Sequence, residues 1–217
     1  MSIRKRSVWV LTMCISVGSL SLAEESRPDP SAFLLNESRE IALARSAAPS
    51  SISEAATILV LRAKGYEKVS EGSNGFVCLV LRSWGNPDFD PRYLNDPGII
   101  VPECLDRHAA ATILPLQLFR AELGLKGTPA EQSRELVSQG FASGRFQRVD
   151  SVAFSYMMSA AMSVQPHVMV YLPDHYTNET MGGLSYGDKL TFVEGGPDGP
   201  YVAAMIMQPG RGIEPEL

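Results

Sequence analysis

The stretch Thr57–Arg82, TILVLRAKGYEKVSEGSNGFVCLVLR, decides the fold reading. Two dense apolar runs, Ile58 to Leu61 and Phe76 to Leu81, flank a polar segment. Each run has strand length and is bounded by turn residues, Gly65 after the first and Gly72-Ser73-Asn74-Gly75 before the second. This punctuation predicts three antiparallel strands, Thr57–Ala63, Tyr66–Glu71 and Phe76–Arg82, in a meander at the centre of a sheet. The outer two are apolar at both parities, so they should be covered on both faces. Glu67, Lys68, Ser70 and Glu71 assign the middle one to an exposed or edge position, so the order in space need not follow the order in sequence.

Upstream, Arg4, Lys5 and Arg6 precede an apolar segment from Val8 to Val17 and small residues ending at Ala23. This is the pattern of a secretory signal peptide over residues 1–23, with cleavage expected after Ala23. Cys14 does not suit lipidation, because Met13 stands before it where a small residue is needed. Removal of three basic and no acidic residues, from 19 and 24, leaves 194 residues with a formal charge of −8. That charge opposes nucleic acid as a partner and binding to anionic lipid. With no second long apolar run, no stable membrane insertion of the mature chain is expected, and the localisation reads as periplasmic or extracellular.

Residues 24–31, with Pro28 and Pro30, read as an extended lead-in, 32–210 as a single domain and 211–217 as a tail. Asn36 is placed to cap a helix ending near Ala47–Pro49. Trp84–Cys104 contains Pro87, Pro91, Pro97 and Pro102 and reads as a long connection without regular structure, a candidate pocket wall. Ala109–Leu114 suits helix or strand, and Pro115 suits the first turn of a helix. Thr128-Pro129-Ala130-Glu131 reads as a capping box opening a helix to about Phe141, stopped by Gly140 and Gly144. Val152–Met158, His167–Leu172, Leu190–Glu194 and Tyr201–Met207 read as strands. Segregated helices and strands predict an α+β fold: a mostly antiparallel sheet with about three helices packed on it.

Of the three cysteines, Cys78 and Cys104 remain after cleavage. In an oxidising compartment the simplest pairing is with each other, tying the far end of the long connection to the sheet. A redox role is disfavoured, since the spacing is unlike Cys-x-x-Cys. Gly183-Leu184-Ser185-Tyr186-Gly187 matches the hydrolase G-x-S-x-G pattern, but no strand precedes it, no helix follows it and no histidine lies beyond His175.

The histidines are His108, His167 and His175. A zinc site can be drawn from Cys104, Asp106, His108, His167, Asp174 and His175, yet there is no H-E-x-x-H pair, the cysteines are better spent on each other and an isolated strand histidine is more often hydrogen-bonded core, so no metal or cofactor is assigned. Met157, Met158, Met162, Met169, Met181, Met205 and Met207 all fall in the last third, where thioethers and imidazoles suit copper(I). Core filling is the plainer account of them. Tyr156, Tyr171, Tyr176, Tyr186 and Tyr201 share this third and could line a cleft. Arg145 and Arg148 suit an anion clamp, though a solvated basic face explains them more simply.

The segments IALARSAAP (41–49), NGFVCLV (74–80), ATILP (111–115), GRF (144–146), SYMM (155–158) and PHVMVYLP (166–173) together resemble a family of exported bacterial proteins with no assigned activity. The resemblance implies export and a single domain. The reading that follows is a non-catalytic small-ligand-binding or interaction module, with Tyr156, His167, Tyr171 and His175 as ligand-binding candidates. The alternatives are a hydrolytic or metal-dependent enzyme with His167 as catalytic candidate, and copper binding by the last third.

Overall fold

In the computed structural model, which describes residues 28–85, 95–159, 164–172, 191–194 and 203–207, the opening stretch forms β1 (Thr57–Arg62), β2 (Gly65–Ser70) and β3 (Val77–Arg82). β1 and β2 pair antiparallel across a tight turn whose Gly65 has φ +130°. The meander expectation fails at the next step. β3 pairs with β1 in parallel, Thr57 opposite Val77 and Ile58 opposite Cys78, so β2 is left at the sheet edge. The charges of β2 explain this, because Glu67 and Lys68 are exposed and a strand carrying them cannot be covered on both faces. The return to β1 is tight at Gly72, where a Cβ would lie 2.2 Å from the Thr57 nitrogen.

A second correction concerns Trp84–Cys104. Its end is β4 (Ile100–Leu105), antiparallel to β3 over the whole strand. Pro102 is tolerated because β5 (Ala153–Ser159) pairs only with Glu103–Leu105. At Pro102 the ladder is open on that side, so the missing N–H breaks no bond. β6 (Val164–Leu172), β7 (Thr191–Glu194) and β8 (Ala203–Met207) complete an eight-stranded sheet of order β2-β1-β3-β4-β5-β6-β8-β7, antiparallel apart from the β1–β3 pair.

Helices cover both faces of its first half. α1 (Glu37–Ser46) is capped by the Asn36 side chain, which accepts from the Ser38 N–H at 3.0 Å. With the short α2 (Ser50–Ser53) behind it, α1 lies over β1, β3 and β4. There Ala44 and Ala47 meet Ile58, Val60, Cys78, Val80 and Cys104. On the opposite face lie α3 (Arg107–Thr112), α4 (Leu114–Leu125) and α5 (Ala130–Ala142). α3 is capped by Asp106, which accepts from the Ala109 N–H at 2.8 Å. Leu79, Leu81, Val101, Leu105, Ala109 and Ile113 form the core on this side. The capping-box expectation is corrected at α5: Pro129 is extended and occupies the cap position itself, so no side chain caps the helix. Trp84 packs against α4 where Gly124 leaves room for its ring.

The architecture is thus the expected α+β class. No helix among the described residues is long and apolar enough to cross a membrane. The segment read as a signal peptide and its expected cleavage site, His175 and the G-x-S-x-G segment lie outside the described residues.

Candidate functional site

Alternation along β4 sends Val101, Glu103 and Leu105 to the face covered by α3 and α4. Glu103 therefore stands between Leu79 on β3 and Met157 on β5, with 0 % of its surface exposed. Two hydroxyls reach its Oε1: Ser155 Oγ donates at 2.9 Å and Tyr171 OH at 2.7 Å. The two hydroxyl oxygens are 3.1 Å apart, so the three side chains form one knot. Among the described residues Glu103 Oε2 has no hydrogen-bond partner. The Oε1 of Gln117, on α4, is also buried without one.

Burial pushes the Glu103 carboxyl above its ordinary range; the Tyr171 and Ser155 hydrogen bonds and the Arg120 charge oppose the rise. Burial likewise raises the Tyr171 phenol, and the neighbouring Glu103 charge adds to it. Arg120 itself is buried on α4 and donates to the Gly85 carbonyl at 3.3 Å.

A second buried acid, on the opposite face, shows the contrast. Glu40 Oε1 accepts from the Leu61 N–H at 2.9 Å and Oε2 from Arg82 Nη2 at 2.9 Å. Arg82 also donates from Nε to the Phe33 carbonyl at 2.7 Å and from Nη1 to the Val80 carbonyl. Both carboxylate oxygens are used, and the pair pins α1 to the sheet.

Of the sequence candidates, Tyr171 lies inside the Glu103 knot. His167 is buried on the same sheet face, in the register row of Glu103, with Met157 between the two. Tyr156 faces the other way: it packs beside Cys78 and Cys104, with its ring 5.8 Å from that of Phe154. Arg145 and Arg148 lie over aromatic rings, Arg145 at 4.0 Å from the Phe119 centroid and Arg148 at 5.3 Å from Phe141. Their guanidiniums are spent partly on stacking.

Cys78 and Cys104 form a disulfide. They are directly opposed on β3 and β4, so the bond staples two strands and does not tie a loop to the sheet. Cys104 is thereby withdrawn from any zinc site. Among the described residues no group of three or more His, Cys, Asp or Glu side chains could hold a metal ion.

Sequence reasoning missed Glu103, because Pro102 and the nearby aspartates and prolines made its segment read as loop. The available signal was a single acid inside the otherwise apolar run Ile99-Ile100-Val101-Pro102-Glu103-Cys104-Leu105. A separate surface cavity of about 310 Å³, between Pro28–Phe33 and the end of α4 at Gly124–Gly127, shares no residue with the knot. No protein-family model, curated protein or solved structure matches the chain.

Proposed function

We propose that the chain is an exported, non-catalytic binding module for a small molecule bearing a hydrogen-bond donor, anchored by Glu103 together with Tyr171 and Ser155. One observation carries this reading: Glu103 is fully buried, yet among the described residues only one of its two oxygens is hydrogen-bonded. A buried polar atom without a partner costs about 1–3 kcal/mol, so a donor placed at Oε2 recovers stabilisation that the chain does not supply. Leu79, Leu105, Met157 and Met169 give the surroundings their apolar character, and a few convergent polar groups on apolar walls are the usual make-up of a ligand site.

The hydrolytic alternative is less well supported. Met157 stands between Glu103 and His167 in one register row, and the Glu103 Oε1 is taken by Ser155 and Tyr171, an arrangement that favours binding over hydrolysis.

A thermal-shift panel of small amines, amidines, amides and polyols tests the proposal on the mature protein and on Glu103→Gln. A true ligand at a hundredfold excess over its Kd stabilises by about 2.7 kcal/mol, or roughly 5–10 °C for a domain of this size. That shift should appear in the wild type and shrink in Glu103→Gln. No shift from any compound, or equal shifts in both proteins, overturns the reading.

A further inference from the structure

The sheet register brings together three soft or borderline metal ligands beside the Glu103 knot, Met157 being opposite Glu103 and Met169 opposite Ser155. His167 on β6 is directly opposite Met157 on β5. Met169 follows His167 by two residues and so lies on the same face, diagonal to Met157. Opposed side chains on adjacent strands start about 5 Å apart at Cβ, and diagonal ones about 7–8 Å. Methionine has three rotatable bonds, so both thioethers can converge on one ion held at an imidazole nitrogen from these starting points.

Two further observations single this place out. Between the pairs Met157–His167 and Ser159–Val164, β6 carries one residue more than β5, so the ladder is bulged immediately beside the trio. Pro166, which has no N–H to give a ladder, falls within the bulge. Bulges recur beside functional sites because they re-aim a side chain. The trio is also graded in depth: His167 is buried, whereas Met157 and Met169 are partly buried against the core that holds Leu105 and Tyr171. An ion would therefore arrive at the thioethers first and meet the imidazole behind them.

We propose that Met157, His167 and Met169 form a site for a soft monovalent cation, Cu(I) or Ag(I). Two thioethers with an imidazole favour such an ion over Mg²⁺ or Ca²⁺, which seek oxygen, and over Zn²⁺, which takes imidazole but prefers thiolate or carboxylate to thioether beside it. The imidazole needs only one nitrogen for the metal and keeps the other for a hydrogen bond, as ligating histidines commonly do. The site makes no use of Glu103 Oε2, although Met157 and Met169 also border the Glu103 knot, so the thioether signals and not the Glu103→Gln variant distinguish the two readings.

The test uses the mature protein labelled with ¹³C at the methionine methyls and titrated with silver nitrate in chloride-free buffer. Ag(I) needs no reductant, so the Cys78–Cys104 disulfide stays intact during the titration. The Met157 and Met169 methyl signals should shift together and saturate at a single equivalent. Met157→Leu/Met169→Leu conserves volume and should fold, while its Ag(I) affinity falls by more than about tenfold. If the double variant does not fold, Met157→Leu and Met169→Leu singly must each weaken binding. No methyl shift, shifts confined to other methionines, or unchanged affinity in the variants would overturn the assignment.

Discussion

Glu103→Gln should alter the pH dependence of stability more than stability itself. In the folded chain, burial raises the Glu103 carboxyl above its ordinary value of 4.5, while in the unfolded chain it titrates normally. Between those two values the folded state holds a proton that the unfolded state has released. Stability therefore falls as pH rises: the contribution is fully present below the unfolded value and is lost as pH rises through the folded one. One proton limits the slope to about 1.4 kcal/mol per pH unit. Glutamine keeps an acceptor for Ser155 and Tyr171 and cannot ionise, so at about pH 4 the variant should lie within about 1 kcal/mol of wild type. It should then gain on wild type as pH is raised towards about 8. Urea unfolding of both proteins across that range is the assay. A difference that stays constant with pH, or one that moves the other way, would refute the reasoning.

Three further outcomes follow from the packing. Glu40→Ala should cost about 3–5 kcal/mol because it strands the buried Arg82, and Glu40→Leu/Arg82→Met should recover much of that loss in denaturant titrations. Gly124→Ala should cost about 1–3 kcal/mol, since its Cβ would lie 2.0 Å from the Trp84 ring; Gly144→Ala, with nothing within 4 Å, should lose only about 1–2 kcal/mol through its φ of +76°. Cys78→Ala/Cys104→Ala should lower stability by about 2–4 kcal/mol, and reducing agent should then have no further effect on its melting temperature.

The strands were legible where hydrophobicity was undiluted. β1 and β3 are buried along nearly their whole length, as their apolar runs required, and β2 took the edge that Glu67 and Lys68 allowed. Their pairing was not legible. Burial on both faces says that a strand is central but not which strand lies beside it, and the parallel β1–β3 contact depends on the long-range approach of Gly72 to Thr57. β4 was hidden by Pro102, whose cost vanishes only because β5 stops short of it. The same gap hid the site. Tyr171 stood out by composition, but its partner Glu103 did not, and Tyr156 could not be assigned to the opposite face without the register between β5 and β6.

The central claim is that Glu103 Oε2 receives a donor from a bound small molecule. Titration calorimetry of the most stabilising panel compound into wild type and Glu103→Gln, at one pH, tests it most directly. The predicted result is a loss of tenfold or more in affinity, about 1.4 kcal/mol, in a variant whose fold is unchanged. Equal affinity in the two proteins would contradict it.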